Sequence, residues 1–150
     1  MRIRFIKSSE KRRILEALNN QFGIEKMPYL LIEAGKDRIR GFSGHLSKEE
    51  ISELGHILNI ELIGLYMIKQ ENDFRISIDA CHLLKNQIIK GIIELNDSEF
   101  QQWIRGKDVE KQSDPGTFVI KYKDDFIGCT KANGRVLFNY VPKDRRLKKN

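Results

Sequence analysis

The pair Asn133-Gly134 stands between two strand-like runs, Phe126 to Lys131 and Arg135 to Val141. A type I′ hairpin turn requires positive φ at both central positions, and Asn-Gly is a favoured pair for it. The end of the chain therefore reads as an antiparallel hairpin. Similar punctuation recurs upstream. Asp124-Asp125 precedes Phe126, and Ser113-Asp114-Pro115-Gly116 turns the chain into Thr117 to Tyr122. Gln70-Glu71-Asn72-Asp73 separates Glu61 to Lys69 from Phe74 to Ile78, and Ala34-Gly35-Lys36-Asp37 joins Tyr29 to Glu33 with Arg38 to Phe42. Turns so close together leave pieces of strand length, which predicts antiparallel sheets.

Helical spacing interrupts the strands. Glu10 to Phe22 places Ile14, Leu15, Leu18 and Phe22 on one stripe, with Ser8 or Ser9 to cap its start and Gly23 just past its end. Ser47-Lys48-Glu49-Glu50 is a capping box that points Ile51, Leu54 and Leu58 to the core, with Gly55 ending or fraying the helix. Asn96-Asp97-Ser98-Glu99 opens a third helix with Phe100, Trp103 and Ile104 inward, and Arg105-Gly106-Lys107-Asp108 ends it. Before that helix, Ile88 to Leu95 reads as a buried strand. The fold class is α/β (α+β). A boundary near residues 70–87 lacks a Pro/Gly/Ser linker, so the two halves are expected to pack together. The 150 residues suit one domain or two small ones. A chain of that size buries roughly 68–70% of its unfolded surface and folds without disulfide or metal.

Charge separates the ends from the middle. Residues 116–150 carry nine basic side chains against Asp124, Asp125 and Asp144, which accounts for the whole net charge of +6. Residues 1–13 add Arg2, Arg4, Lys7, Lys11, Arg12 and Arg13 against Glu10 alone. Basic ends suit a polyanion partner, nucleic acid above all; they also serve solubility. No apolar run spans a bilayer: Ile60 to Ile68 is short and contains Glu61. The N-terminal stretch Met-Arg-Ile-Arg-Phe-Ile-Lys lacks the apolar core of a signal peptide, so no membrane is expected and a cytoplasmic, reduced setting is.

Signs of catalysis are missing from the residue pattern. His45, His56 and His82 have no spacing that pairs them with one another or with Cys81 and Cys129. Two distant cysteines exclude a disulfide framework and a self-contained zinc site. Cys81-His82 reads as neighbours on a strand, a buried thiol beside an ordinary histidine. There is no glycine-rich phosphate loop and no Gly-x-Ser-x-Gly elbow. Glu49, Glu50 and Glu53 read as a solvating helix face. The expectation is no catalytic residue, no metal and no cofactor.

The segment from 88 to 147 carries a resemblance. Ile88-Ile89-Lys90-Gly91-Ile92-Ile93-Glu94-Leu95, the helix end Trp103-Ile104-Arg105-Gly106-Lys107-Asp108-Val109, then Phe126-Ile127-Gly128-Cys129 and Arg135 through Leu147 resemble a PUA domain. That is an RNA-binding module first seen in pseudouridine synthases and archaeosine transglycosylases. The ending Asn139-Tyr140-Val141-Pro142-Lys143, followed by basic residues, is most similar to the small RNA-binding domain attached to the NOL1/NOP2/Sun RNA cytosine-5 methyltransferases. Residues 1–85 resemble the pre-PUA domain of small stand-alone archaeal proteins and, more distantly, ribosome-biogenesis proteins of similar two-part layout. The resemblance implies a pre-PUA-like antiparallel sheet with helices over 1–85 and a PUA-like RNA-binding β-barrel over 86–150. The S-adenosylmethionine-binding core and its catalytic cysteine context do not occur in the chain, so it implies RNA binding without methyl transfer.

The candidate RNA contacts are Lys90, Arg105, Gly106, Lys107, Lys121, Lys123, Lys131, Arg135, Asn139, Lys143, Arg145 and Arg146. Gly106 either lets a phosphate approach the backbone between two cations or serves only as a helix C-cap; the resemblance favours contact, since that loop lies at the RNA groove in family members. Lys121 and Lys123 read as one face of a strand, reaching phosphates or guarding an edge. Asn139 suits a base edge or a turn. Phe138 and Tyr140 share parity and read as core. Pro142 halts the last strand and leaves Lys143, Arg145 and Arg146 on an irregular tail. The expected function is non-catalytic binding of structured ribosomal or transfer RNA in RNA modification or ribosome biogenesis. The alternative is a protein-interaction subunit whose acidic middle, residues 14–115, docks a separate RNA methyltransferase or assembly factor.

Overall fold

The computed structural model describes residues 2–148. The first half is an antiparallel meander of β1 (Ile3–Phe5), β2 (Leu30–Ala34), β3 (Arg38–Phe42), β4 (Leu65–Gln70) and β5 (Phe74–Ile76), in that spatial order. Helix α1 (Ser8–Phe22) buries Ile14, Leu18 and Phe22, and α2 (Lys48–Ile57) joins β3 to β4. A short helix α3 (Ile78–Leu83) leads to the second half. There β6 (Ile92–Glu94), α4 (Asp97–Trp103), β7 (Val109–Glu110), β8 (Gly116–Tyr122), β9 (Asp125–Ala132) and β10 (Val136–Leu137) follow. The second sheet runs β6-β8-β9-β10-β7; β6 lies parallel to β8, the other pairs are antiparallel, and the sheet curls into a half-barrel of PUA-like form.

Local signals hold where the chemistry is local. Gly23 ends α1 at φ 85° with its amide on the Asn19 carbonyl. Ser47 with Glu50 and Asn96 with Glu99 both form full capping boxes. The Glu50 carboxyl is held below its usual range by the Ser47 amide.

Several expected elements start or stop elsewhere. Neither Ser8 nor Ser9 caps α1; Lys7 does so without a side-chain bond, because β1 delivers the chain there and Arg4 ties Glu10 to Glu33. Helix α2 runs through Gly55, and only Ile51 turns inward: Leu54 and Leu58 are exposed on the rim of a small cluster around Ile32 and Ile63. The strand expected from Glu61 begins only at Leu65, since the Arg40 guanidinium takes the Ile63 and Gly64 carbonyls at 2.7 and 2.8 Å. The strand expected to reach Ile78 stops at Ile76, where Ser77 caps α3. Cys81 and His82 therefore lie on a helix, one buried and one exposed. Of Ile88 to Leu95 only β6 is strand, and Ile89 is exposed.

The second half shifts likewise. Trp103 is buried, whereas Ile104 is only half-buried and Phe100 is half-buried in a parallel stack on Tyr122 at 3.8 Å. The β8–β9 turn is Lys123-Asp124, with Asp125 already paired to Tyr122 and Lys123 at φ 51°; Lys121 and Lys123 do not share a strand face. Asn133-Gly134 does make a hairpin, but the loop is not a two-residue type I′ turn. Positive φ is confined to Gly134, and the Asn133 side chain accepts the Arg135 and Val136 amides instead. The last strand ends at Leu137, well short of Pro142, and Lys143–Arg145 form a 3-10 turn. Phe138 and Tyr140 are both exposed rather than core.

The largest apolar cluster draws on both halves. Ile14, Leu18, Phe22, Met67, Ile76 and Cys81 pack with Val119, Phe126 and Cys129. The Ile89 amide bonds the Phe22 carbonyl at 3.0 Å, and the Gln87 amide clasps Glu25 and Lys26. A second cluster around Trp103, Ile120 and Leu137 fills the half-barrel.

Candidate nucleic-acid interface

The C-terminal strip, residues 139–147, docks on the loop that ends α4. Asn139 is its anchor. Its side-chain amide donates to the Trp103 and Lys107 carbonyls at 2.8 and 3.0 Å, and its oxygen accepts the Val141 amide at 2.8 Å. Its backbone amide meets the Asp108 carboxylate at 2.8 Å. Farther along, the Leu147 amide bonds the Ile104 carbonyl at 2.8 Å, and the Arg145 guanidinium pairs with Asp79 of α3 at 2.8 Å.

Gly106 has φ 83°, a left-handed conformation that glycine adopts without penalty. Its amide closes the helix on the Trp103 carbonyl at 3.0 Å. The space a side chain would need is filled by the Arg146 side chain, whose Nε donates to the Val141 carbonyl at 2.9 Å. Arg105 folds back on its own helix, donating to the Gln101 carbonyl and side chain at 2.9 Å. The C-cap reading of this loop is thus fulfilled in full, and Lys107 is the exposed cation on it.

The other candidates divide by location. Lys143, beside Pro142, is exposed on the same strip, and Lys148 is exposed just past its end. Lys121 faces Glu94 at 3.9 Å and lies over the Phe126 ring at 5.8 Å. Lys131 pairs with Glu71, and this hydrogen bond holds the Glu71 carboxyl below its usual range against burial, with Arg75 assisting. Lys123 and Arg135 are exposed in the loops at opposite ends of β9, and Lys90 is exposed before β6. Contacts join Gly106 to Arg146 and Lys107 to Asn139, with Arg105 on the same loop and Lys143 and Arg145 on the same strip; Lys90, Lys121, Lys123, Lys131 and Arg135 lie on other elements. Lys149, counted in the basic tail, lies outside the described residues.

Three residues beside this strip had no distinguishing pattern in the sequence. Arg75 lays its guanidinium over the Tyr140 ring at 3.6 Å. Asp79 receives Arg145. Tyr66 lines a hollow together with Arg75, Asp79 and Tyr140, and burial pushes its phenol up. Ser77, an ordinary N-cap residue before Ile78, was the one available sign that a helix brings Asp79 here. The cysteines also meet: hydrogen bonding to the Cys129 thiol and burial raise the Cys81 thiol well above its usual range, which makes it an inert core thiol. Among the described residues no cluster of His, Cys, Asp or Glu can hold a metal, and no helix is long and apolar enough to cross a membrane.

A curled five-stranded sheet with one parallel edge pair and a capped helix between its first two strands in sequence give the second half a PUA-like fold. Residues 90–147 match the family model of the methyltransferase RsmF PUA domain, so this part of the chain is similar to that domain. The PUA family is generally RNA-binding and associated with RNA methyltransferases. The chain matches none of the curated proteins with which it was compared.

Proposed function

We propose that the chain is a non-catalytic, cytoplasmic RNA-binding protein that acts on ribosomal or transfer RNA in RNA modification or ribosome biogenesis. Residues 1–85 serve as its pre-PUA-like partner layer. The observation that supports this function is the docking of the C-terminal strip on the α4 loop through Asn139 and Arg146, with Lys107 exposed on the loop, Lys143 exposed on the strip and Lys148 exposed just beyond it. Phosphate contacts of this kind supply affinity and register without a catalytic group. Three such contacts give a slope of about −2 in log K against log[salt], at roughly −0.7 per contact on single strands. Mobility-shift titrations of the purified chain with bulk ribosomal and transfer RNA over a salt series measure it. A slope near zero rejects this function.

A second function, docking a separate methyltransferase or assembly factor, is favoured by a different surface. Helix α2 carries Glu49, Glu50 and Glu53 beside exposed Leu54, Ile57 and Leu58. A chain that binds no RNA alone but acquires affinity with such a partner would favour this second function.

A further inference from the structure

A cavity of about 240 Å³ lies in the seam between the two halves. Tyr66 of β4, Arg75 of β5, Asp79 of α3 and Tyr140, Asp144 and Arg145 of the C-terminal strip line it. At about 30 Å³ per water, this is the space of about eight waters, too much for one bridging solvent molecule or bare ion. It falls just below the roughly 300–1,000 Å³ of pockets for drug-sized ligands.

The lining suits a flat, uncharged molecule with donors and acceptors on its edge. The Arg75 guanidinium and Tyr140 ring, 3.6 Å apart, form a planar stack in the wall. Two cations, Arg75 and Arg145, are balanced by two carboxylates, Asp79 and Asp144, so the cavity has no net charge to select a phosphate. Arg75 Nε is buried without a partner among the described residues, and its Nη2 reaches Glu71 only at 3.4 Å. Buried guanidinium donors are rarely left unused, and an unfilled one calls for a ligand or water. Proteins that read unpaired RNA stack its bases on aromatic rings or Arg planes and hydrogen-bond their edges. Lys143 stands between the lining residues Pro142 and Asp144, where it can meet the phosphate of a nucleotide whose base is inside.

We infer that the seam cavity receives one unpaired nucleobase of the bound RNA, an inference that rests on the RNA-binding function proposed above. Trp103, the single tryptophan, also lines the cavity and gives one indole N–H signal in a nitrogen-15 correlation spectrum. The full chain is titrated separately with adenosine, cytidine, guanosine, uridine and inorganic phosphate. The expected result is a saturable shift of that signal with at least one nucleoside and none with phosphate. In parallel, Tyr140→Ala and Arg75→Lys are compared with wild type on an RNA hairpin with an unpaired loop and on a blunt duplex. Arg75→Lys keeps the charge and loses the planar fork. About tenfold weaker binding to the hairpin, with duplex binding and salt slope unchanged, supports the inference. A silent indole signal with all four nucleosides, a shift with phosphate alone, or equal hairpin affinity in an Arg75→Lys chain of wild-type melting temperature overturns it. If wild type binds no RNA at all, the RNA-binding function fails and so does the source of the base; the nucleoside titration still decides whether the cavity takes one.

Discussion

Asn139 shows how one side chain decides between recognition and architecture. Both its amide hydrogens and its oxygen are used inside the fold, holding Trp103, Lys107 and Val141 in register. Asn139→Ala leaves those groups unpaired at a cost of about 1–3 kcal/mol. At roughly 2–4 °C per kcal/mol for a chain of this size, thermal melting should fall by several degrees. Lys107→Ala is the contrast: an exposed lysine there changes stability by less than about 0.5 kcal/mol, while RNA affinity in mobility shifts should drop. The sequence left Asn139 open between a turn and a base edge because its partners Trp103 and Lys107 lie more than thirty positions away. Gly106 was legible as a C-cap because that demand is local, but nothing local shows Arg146 closing over it.

Between elements, the turn from β4 to β5 ties the first half to β9 through Glu71 and Lys131. Hydrogen bonding to Lys131 lowers the Glu71 pKa in the folded chain relative to the unfolded one. The stabilisation is therefore present above the ordinary carboxylate range and is lost as pH falls through the folded value. Glu71→Gln should lower the melting temperature at pH 7 by the effect of a partly exposed pair, about 1 kcal/mol or less, and the gap should close in acid. Melting curves of both chains from pH 7 down to pH 3 measure this; a gap that persists in acid would assign the effect to packing. The capping boxes of α2 and α4 were readable because every partner sits within three residues. Strand ends were not. Arg40 removes two carbonyls from reach of β4, and Asn139 draws the chain off β10, both through contacts that periodicity does not encode.

At the scale of the molecule, the two halves share a core, and the C-terminal strip is joined to both. The turn pattern and the acid-poor tail pointed to antiparallel layers and a basic end, but Val119 and Phe126 packing with Leu18 and Phe22 is a long-range fact that no local pattern carries. The tail read as a loose, cationic terminus of little structural weight. Instead, Arg145 reaches across to Asp79 of the first half, Arg146 covers Gly106, and the Leu147 amide closes on Ile104. Removing residues 145–150 therefore deletes the Arg145–Asp79 bond, the backbone closures of Arg145 on Pro142, Arg146 on Lys143 and Leu147 on Ile104, and the cover of the α4 loop together. A hydrogen bond to a charged group contributes about 1.5–3 kcal/mol, and each neutral one about 0.5–1.5 kcal/mol. The truncated chain should melt several degrees lower and bind RNA at least tenfold more weakly. The double substitution Lys107→Ala with Lys143→Ala should weaken RNA binding to a similar degree while melting like wild type, because it removes only exposed charge. Thermal melting and mobility shifts on both chains separate the roles. A truncation that melts normally would return the tail to a solvated terminus, and a double mutant with wild-type affinity would place the RNA on another face of the molecule.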